Sequence, residues 1–567
     1  MNPYGRFDDE NKEYVILRPD TPLPWINYLG SEDFFGIISN TAGGYCFYRD
    51  ARLRRVTRYR YNNIPVDNNG RYIYIKDGKT VWSPSWKPLR IDPDRYECRH
   101  GLGYTVIKSV KDDLEVTVKY FIPNGWTLEI WDVQVRNLSP KTKSVRLWGF
   151  VEWCLWDAFD DMTNFQRNFS TGQVEIANQV IFHVTEYRER RDHYAYFATS
   201  HPTTGFDTSR DAFVGLYNGL EMPQVVAAGE CRGSIAHGWS PVGVHQIDLE
   251  IEAGGEKRFN FLLGYARNGP DKKFTAPKVA NKEPFYDVFK HFSKNDAVDD
   301  AFDDLKKYWQ RLLSTYQAEI KDPIVRRMVN TWNQYQCMVT FNMSRSASFY
   351  ESGIGRGMGY RDSNQDLLGF VHIVPERARQ RILELAATQM SDGSCFHQYQ
   401  PLTKKGNENV GSGFNDDPLW LNLSVSAYLK ETGDFAILDQ VIGYADVENS
   451  RATLMDHLEI SLDYTLRRRG PHGLPLIGHA DWNDCLNLNC FSKEPGESFQ
   501  TAGDIEGSVA ESVMIAGLFC AACNEMVQMY QALGRKEKAD KVRSDAENMR
   551  KTVYEHGWDG EIGRAHV

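Results

Sequence analysis

The hydrophobic period of the chain changes once, near residue 280, and this change limits the folds open to it. Before that point, short runs alternate apolar with polar side chains between Gly, Pro, Asn and Asp turns, as in residues 72–76, 114–121 and 128–135. Such alternation predicts antiparallel strands, and many of them with regular turns indicate a large β-sandwich. From residue 284 onward the apolar positions recur at helical spacing. The sequence therefore predicts two regions of different class.

The second region is predicted to be helical, with long polar and aromatic loops. Pro323 begins one of its helices, because proline is well tolerated in a first helical turn. The predicted helices cover residues 302–316, 323–338, 375–390, 417–431, 453–468, 508–533 and 536–555. Helices of this length, joined by such loops, favour a helical toroid whose loops form a cleft at one end.

Length and charge exclude several classes of protein. A chain of 567 residues exceeds one ordinary hydrophobic core, so at least two domains are expected. The net charge of -10 is not gathered into blocks, and no basic stripe suited to nucleic acid is visible. The longest apolar run in a predicted helix, 513–523, is about half of the ~20 residues that cross a bilayer. We therefore expect neither a nucleic-acid nor a membrane partner.

The N-terminus and the cysteines favour the cytoplasm. Residues 1–5 lack the basic and apolar stretches of a secretory signal. The ten cysteines show no repeating spacing, which is typical of reduced thiols rather than of a disulfide framework. A soluble cytoplasmic protein is expected.

The segment 344–366 is the richest in groups that bind ligands. It contains three arginines, two aspartates and four glycines, in what is predicted to be one loop between helices. Glycine lets the backbone approach a ligand closely, and arginine presents a planar fork to phosphate or to vicinal hydroxyls. Its residues 353–357 are not a dinucleotide fingerprint, because no strand leads into them. The alternative is a flexible surface loop with solvated charges.

A second segment, 478–487, has the residue types of sugar chemistry. Asp481 and Asp484 stand three apart with Trp482 between them. An indole covers the apolar face of a pyranose ring, and a partly desolvated acid protonates a glycosidic oxygen. The alternative is an Asn- and Asp-rich capping turn. His479 is interpreted as a packed loop histidine, because no second histidine stands at metal-ligand spacing.

Polar segments at 396–401, 411–420 and 161–169 are weaker candidates. Asp416 and Asp417 precede a predicted helix and are interpreted as charges that complement its positive end. The loop 161–169 follows a Trp-rich strand and either contributes to a site or is a plain surface loop.

Other conspicuous residues are interpreted as core. Cys520 and Cys523 have redox-motif spacing but lie in an apolar helix, where small packing residues are the expected role. The aromatic clusters around Trp153, Trp156 and Trp332 are likewise expected to be buried.

Segments of both regions resemble one known family. Residues 4–11, 357–362 and 480–487 resemble the inverting disaccharide phosphorylases of glycoside hydrolase family 94, and the similarity runs from about residue 4 to residue 560. Within that family, the segments most similar to members that act on cellobiose are 361–366, 397–403 and 164–168. Together these motifs are specific, although no single one is.

The resemblance implies a fold and an activity. The expected order is a β-sandwich over residues 1–282, a helical linker over 283–318 and an (α/α)6 barrel over 319–560. The implied reaction is phosphorolysis of cellobiose to α-glucose 1-phosphate and glucose, usually in a homodimer. Inorganic phosphate is then a substrate, and no cofactor is implied.

The resemblance also assigns roles to seven residues. The matched positions are Asp484 as general acid, Trp482, Arg356 and Asp362 on the transferred glucosyl unit, Arg345 on phosphate, and Gln166 and Arg167 on the leaving glucose, across the dimer. An inverting hydrolase needs a second carboxylate to activate water, whereas phosphate is already an anion. The acid must keep its proton near neutral pH, so burial against Trp482 is expected to raise the pKa of Asp484. Arg345 is expected to hold phosphate in line.

The end of the chain departs from the family. Residues 561–567 match the translation of the sequencing adapter GAG-ATC-GGA-AGA-GCA-CAC-GTC, so the natural reading frame is expected to end near Gly560. Family members continue with the rest of the barrel, a phosphate-binding histidine and a small β domain. We therefore expect the barrel to be incomplete, the full-length parent to be active and this 567-residue chain to be inactive or poorly folded.

Two groups of rival functions stay open. The first contains phosphorylases for chitobiose, laminaribiose or cellodextrins, and inverting hydrolases. The second is a non-catalytic carbohydrate-binding protein that uses the sandwich and its aromatic residues alone.

Overall fold

The computed structural model describes the chain except residues 1, 31, 61–63, 164–170, 187–191, 239, 270, 278, 344–345, 350–356, 409, 480–481, 483–509, 559 and 561–567. The chain divides into two compact units. The first comprises Met1–Ser314, Ala318–Tyr335 and Ala347–Gly355, and the second comprises Thr315–Gln317, Gln336–Ser346 and Arg356–Val567.

Alternating sequences in the first unit form strands, as predicted. The strands are β1 (Gly5–Asp8), β2 (Glu13–Ile16), β3 (Ile26–Leu29), β4 (Phe34–Ser39), β5 (Gly44–Tyr48), β6 (Arg55–Thr57), β7 (Tyr72–Asp77), β8 (Thr80–Trp82), β9 (Arg95–Gly101), β10 (Tyr104–Lys111), β11 (Leu114–Phe121), β12 (Leu128–Asn137), β13 (Lys143–Trp156), β14 (Thr171–Ala177), β15 (Val180–Glu186), β16 (His193–Thr199), β17 (Gly205–Ser209), β18 (Pro241–Ile251), β19 (Glu256–Arg267), β20 (Phe274–Ala276) and β21 (Val279–Ala280).

Two large antiparallel sheets account for most of these strands. Among the described residues, one sheet has ten strands in the order β1-β2-β9-β10-β11-β12-β19-β16-β15-β14. The other has nine, with β17-β18-β13-β6-β5-β4-β3 as its main path and β7 and β8 paired beside β13. Rings from the two sheets meet between them, as in the stack of Tyr48 on Tyr265 at 4.4 Å. The predicted N-terminal β-sandwich is confirmed.

The sandwich core is aromatic and contains one buried ion pair. Trp153 and Trp156 are 0% and 2% exposed, which confirms their predicted burial, whereas Trp332 is only partly buried. Arg71 and Glu129 form an ion pair with both side chains almost fully buried. Arg71 also donates to the Ile37 and Tyr45 carbonyls at 3.0 and 3.2 Å, so the buried charge has the hydrogen bonds it needs.

Most helices after residue 283 follow the predicted ones, but Tyr360–Phe370 forms a helix where the sequence predicts a loop. Those of the first unit, with one that crosses into the second, are α1 (Ala158–Met162), α2 (Arg210–Phe213), α3 (Gln224–Ala228), α4 (Glu283–Phe292), α5 (Asn295–Ser314), α6 (Pro323–Arg327) and α7 (Asn333–Met343). The second unit continues with α8 (Tyr360–Phe370), α9 (Pro375–Ala386), α10 (Asp417–Thr432), α11 (Leu454–Arg467), α12 (Val513–Ala532) and α13 (Lys536–Thr552). It also holds the two-residue strands β22 (Met358–Gly359), β23 (Gln398–Tyr399), β24 (Val441–Ile442) and β25 (Ala452–Thr453).

Side-chain caps fix several helix ends. Asp322 accepts from the Ile324 and Val325 amides just before α6. Thr453 and Asp456 form a capping box at the start of α11, and Gly433 ends α10 with a φ of 68°. A π-helical segment, Met328–Trp332, joins α6 to α7, where the sequence predicts one continuous helix.

Helices of the second unit form two layers. Helix α10 is buried along most of its length and packs against α8 and α12 on either side. Helices α9, α11 and α13 each bury one face and pack on these inner helices. Inner and outer helices alternate along the chain, as in an (α/α)6 barrel.

The apolar helix α12 supplies core side chains. Within the described part of the chain, it is the helix long and apolar enough to cross a bilayer by length and composition, and 56% of its most apolar 18-residue stretch is buried inside the fold. The helix, Val513–Ala532, is longer than the apolar run 513–523 from which the sequence predicted no membrane-spanning segment. Cys520 and Cys523 are 8% and 0% exposed there, and burial raises the pKa of both thiols, in agreement with the predicted core role.

Candidate functional site

Three connections each lead to the N-terminus of an inner helix of the second unit. Their described residues are 346–349 and 357–359 before α8, 387–408 and 410–416 before α10, and 468–479, 482 and 510–512 before α12. The predicted ligand loop lies in the first, and the predicted sugar-chemistry segment lies in the third. The layered helices thus bring chemistry-bearing segments that are far apart in sequence to consecutive inner helices.

Backbone pairing joins the three connections. Strand β22 pairs with β23, so the first connection is bonded to the second. Phe414 bridges to Gly478, and the His479 amide donates to the Gly413 carbonyl at 2.8 Å, which bonds the second to the third. Leu476 bridges to Glu511 at the start of α12. The N-termini of α8, α10 and α12 therefore lie at one end of this unit, where their dipoles favour an anion.

A cluster of buried charges lies where the first two connections meet. We call Arg361, His397, Asp416 and Asp417 the buried charge cluster. The Arg361 guanidinium contacts Asp416 through two nitrogens, at 2.8 and 3.0 Å, and its Nε is 3.6 Å from Asp417. His397 Nδ1 is 2.7 Å from Asp417 Oδ2. Both carboxylates are 0% exposed, so these contacts replace part of the water that their charges would otherwise need, and Asp417 Oδ1 has no hydrogen-bond partner among the described residues.

The cluster shifts the protonation of two of its members. Burial, and then the charge of Asp417, raises the pKa of Asp416 to about 7. For His397 burial disfavours the imidazolium, but the charge of Asp417 and its hydrogen bond outweigh burial and raise the pKa. Asp416 also accepts from the Trp420 indole at 3.0 Å. The cluster therefore tends to hold protons near neutral pH, which limits its net negative charge.

Aromatic side chains surround the histidine of the cluster. The Phe414 ring stacks on His397 with 3.8 Å between ring centroids, and the His479 ring meets Phe414 edge-on at 5.9 Å. His479 is thus a packed loop histidine, as predicted. Gly478, with a φ of +66°, approaches Gly413 so closely that a Cβ would lie 2.2 Å from the Gly413 carbonyl oxygen. Only glycine fits this crossing of the second and third connections.

The prediction for Asp416 and Asp417 is incomplete. They do occupy the N-cap and first position of α10, where a negative charge complements the helix dipole. Asp416 makes no capping hydrogen bond, and both side chains instead pair with Arg361 and His397 across connections. The sequence indicates that these aspartates are unusual but does not indicate their partners. The paired residues are 20 to 56 positions apart in the chain, and no local pattern predicts such a pair.

The prediction that 344–366 is one loop is wrong for its last seven residues. Helix α8 begins at Tyr360, so Arg361 and Asp362 lie in its first turn. Ser, Asn, Asp and Gly are poor helix formers, which favours a loop locally. Burial of Tyr360, Leu367 and Phe370, together with the ion pairs of Arg361, stabilises the helix instead.

The side chain of Asp362 lies close to the backbone of Gly359. Its carboxylate is folded back toward Gly359, where an added Cβ would lie 2.5 Å from Asp362 Oδ2. The residue is half-buried and follows directly on Arg361 of the buried charge cluster. The cluster therefore fixes the turn that carries this predicted sugar-binding carboxylate.

Of the other predicted site residues, the structure describes Trp482. Trp482, the predicted sugar platform, belongs to the third connection and is 51% exposed. Five further predicted residues lie outside the described residues: Asp484, Arg356, Arg345, Gln166 and Arg167.

The prediction that 161–169 is a loop is wrong at its start, because Asp161 and Met162 are the last residues of α1. Asp161 is 3% exposed and contacts Arg58 Nε at 3.1 Å, and its carbonyl accepts from Arg60 at 2.7 Å. Arg58 also pairs with the buried Glu152 at 2.6 Å. Residues 164–170 of this loop lie outside the described residues.

The described residues include no group of three or more His, Cys, Asp and Glu side chains that could hold a metal ion.

Replacing Asp416 with Asn is expected to change how stability depends on pH. Because the folded state raises the pKa of Asp416 above its ordinary value, this group's contribution to stability is present below about pH 4 and lost as pH rises through about 7. The pKa of His397 is raised too, so its contribution is also lost with rising pH. Asn does not titrate, so between pH 4 and 7 the unfolding free energy of Asp416→Asn should rise relative to the unmodified chain by about 2–4 kcal/mol.

Denaturant unfolding at several pH values measures this difference. The control is Asp434→Asn, since the Tyr428 hydrogen bond lowers the pKa of Asp434 and confines its effect to more acidic solution. Parallel pH curves for Asp416→Asn and the unmodified chain would contradict the assignment.

Comparisons with known proteins agree with this architecture. Residues 12–293 match the family model described as the glycosyl hydrolase 94 supersandwich domain, and residues 308–566 match the catalytic domain of the glycosyl hydrolase 94 superfamily. The chain is 30% identical over 587 residues to an N,N'-diacetylchitobiose phosphorylase of Vibrio proteolyticus, covering 99% of this chain and 69% of that protein. It is 26% identical to a 3-O-beta-D-glucopyranosyl-beta-D-glucuronide phosphorylase of Paenibacillus borealis, covering 98% and 67%.

A solved structure supports the fold. A bacterial glucoamylase complexed with acarbose superposes with a TM-score of 0.56 at 11% identity, covering 98% of this chain and 72% of that one. At this identity the likeness concerns the fold alone.

Proposed function

We propose, from the premise that this chain belongs to the glycosyl hydrolase 94 family, that the whole protein cleaves a β-linked disaccharide by phosphorolysis with inversion. The observation that carries the proposal is the match to phosphorylases along 99% of the chain. The joined connections at the N-termini of α8, α10 and α12 support it, because the cleavage needs a site for an anion beside a sugar.

The proposed chemistry uses one protein acid. Asp484 donates its proton to the bridging oxygen as the bond from the anomeric carbon to that oxygen breaks. Inorganic phosphate attacks the anomeric carbon from the opposite face, so a β-glycoside yields an α-glycosyl phosphate and a free sugar. No second carboxylate is needed, because the nucleophile is already an anion. No cofactor is proposed.

The described residues suit the supporting roles proposed for them. Trp482 exposes half of its side chain, enough for an indole face to cover a pyranose ring. Asp362 is held beside Gly359 by the turn that Arg361 anchors, a fixed position from which a carboxylate can accept sugar hydroxyl groups. Arg356 is proposed to help hold this sugar, Arg345 to bind phosphate, and Gln166 and Arg167 to contact the leaving sugar.

Cellobiose is the proposed substrate, with N,N'-diacetylchitobiose as the second candidate. The proposal of cellobiose rests on the resemblance of residues 361–366, 397–403 and 164–168 to family members that act on cellobiose. The second candidate is favoured by the 30% identity to a phosphorylase named for that disaccharide. The two substrates differ at the sugar 2-position, where a hydroxyl group is replaced by an acetamido group. We further propose a cytoplasmic homodimer.

Cleavage of cellobiose is expected to depend on inorganic phosphate. The purified whole protein is incubated with cellobiose or N,N'-diacetylchitobiose, with and without phosphate, and the products are followed by proton NMR. Phosphate-dependent formation of an α-glycosyl phosphate supports the proposal, and the faster disaccharide identifies the substrate. Equal cleavage in phosphate-free buffer, with only free sugars as products, would show a hydrolase instead.

A further inference from the structure

A groove on the β-sandwich forms a second site of defined chemistry. Its volume is about 830 Å³, and it lies wholly within the first unit. Its floor is one face of three neighbouring strands, where Arg95 pairs with Val110 and Glu97 with Lys108 across β9 and β10. Glu115 of β11 continues this face and contacts Lys108 at 3.1 Å. This volume falls in the range of ligand-binding clefts, roughly 300–1,000 Å³.

Both walls of the groove are fixed by hydrogen bonds. The wall that carries Trp86 is bonded to strand β10 through Ser109 Oγ, which donates to the Pro84 carbonyl at 2.5 Å. The opposite wall, Leu17–Asp20, is held by the Asn40 side chain, which donates to the Pro19 carbonyl at 2.9 Å. Arg18 and Asp20 on this wall form a two-pronged ion pair at 2.6 and 2.5 Å. The groove is thus formed before any ligand arrives, which limits the entropy lost on binding.

Trp86 is held in an unusual conformation at the edge of the groove. Its φ of 67° lies in the left-handed region, which is uncommon and costly for a bulky residue. Its indole N–H donates to Asp92 Oδ1 at 3.0 Å, which fixes the plane of the ring. Within the described chain no aromatic ring or cation stacks on this half-buried indole. A strained, oriented and unstacked tryptophan beside a groove is typical of a ligand platform.

The charges of the groove select the kind of ligand. Its lining carries five carboxylates, from Asp20, Asp92, Asp94, Glu97 and Glu115, against three cations, from Arg18, Arg95 and Lys108. Four of these carboxylates are ion-paired, Asp20 with Arg18, Glu115 with Lys108, Glu97 with Arg99 and Asp94 with Lys111, so the lining is close to neutral. A nearly neutral lining favours an uncharged ligand over nucleotides, sugar phosphates and other anions. Carboxylates and guanidinium groups do hydrogen-bond to vicinal hydroxyl groups, and an indole covers the apolar face of a pyranose ring.

We propose that this groove binds a neutral oligosaccharide chain, with Trp86 as its stacking platform. The choice of a β-glucan chain rests on the proposed function, which takes a β-linked disaccharide. The groove is formed by residues of the first unit, and the proposal gives it no part in bond cleavage.

Trp86→Ala tests the site by isothermal titration with cellopentaose. We expect the variant to bind about tenfold more weakly or worse, because ring stacking is lost. Tyr217→Ala is the control, since Tyr217 is a 99% exposed aromatic of the same unit outside the groove, and it should bind like the unmodified protein. An anionic galacturonate pentamer is expected to bind more weakly than cellopentaose.

Further measurements distinguish a loss of binding in this groove from a loss of activity in the barrel and from misfolding of the variant. Turnover of the disaccharide should be the same in Trp86→Ala and in the unmodified protein, because the groove is not part of the reaction site. Arg95→Ala alters an exposed floor residue without touching the core, and it should also weaken cellopentaose binding. Absence of cellopentaose binding, unchanged affinity in both Trp86→Ala and Arg95→Ala, or equal binding of the anionic pentamer would each overturn the proposal.

Discussion

Replacing Asp484 with Asn in the whole protein is expected to slow phosphorolysis of the disaccharide by about 10²–10⁴-fold, the usual contribution of a positioned general acid. Asn has the same shape but carries no acidic proton, so the bridging oxygen would leave as an alkoxide. Binding of the sugar should change little, since the contacts proposed for Trp482 and Asp362 remain. The measurement is the initial rate of glycosyl phosphate formation, together with the KM for the disaccharide.

Two controls make this result specific to proton donation. An aryl β-glycoside with an acidic phenol as leaving group needs little protonation, so Asp484→Asn should slow its phosphorolysis far less. Asp481→Asn changes a carboxylate three residues away in the same segment, and it should reduce the rate by less than about tenfold, because phosphate needs no protein base. If Asp484→Asn slows both substrates equally, or if Asp481→Asn is the more damaging change, the proposed mechanism fails.

Replacing Arg361 with Met is expected to lower the free energy of unfolding by about 3–5 kcal/mol, the cost of breaking a buried ion pair on one side. Met keeps much of the side-chain volume, so the loss reports on charge rather than on a cavity. Asp416 and Asp417, both 0% exposed, would then share only the His397 ring as a cationic partner within the cluster. Denaturant unfolding followed by far-UV circular dichroism, which weights the helical unit, measures the change.

The surface supplies a matched comparison for Arg361. Arg379 pairs with Asp434 at 3.2 Å, with the two side chains 33% and 31% exposed, so Arg379→Met should cost no more than about 1 kcal/mol. Adding Asp416→Asn to Arg361→Met removes one of the two stranded carboxylates and should restore part of the loss. Equal costs for Arg361→Met and Arg379→Met would show that the buried charge cluster does not stabilise the fold.

The consequences of the cluster extend to the reaction site. Arg361 and Asp362 are adjacent in the first turn of α8, and the ion pairs of Arg361 hold that turn against α10. The same pairs bring the first and second connections together, while the crossing at Gly478 brings the third. A loss of Arg361 should therefore displace Asp362 as well as destabilise the unit.

Much of the architecture could be predicted from local pattern. Alternation in residues such as 114–121 and helical spacing in residues such as 417–431 reflect which side chains face the core, and that information lies within a few neighbours. The starts of α6, α9 and α10 were predictable for a similar reason, because each has a proline in its first turn. The sandwich, the helical barrel unit and the core roles of Trp153 and Cys523 followed from these patterns.

The sequence by itself determined the class of each region, the family, and the segments in which chemistry is concentrated. Only the tertiary structure decided that Arg361 and Asp362 are helical, that His397 belongs beside Asp417, and that Trp86 borders a preformed groove. Local propensity acts between neighbours along the chain, whereas these features depend on desolvated charges and close backbone crossings between residues tens of positions apart. Such contacts become strong only after the fold has excluded water from them.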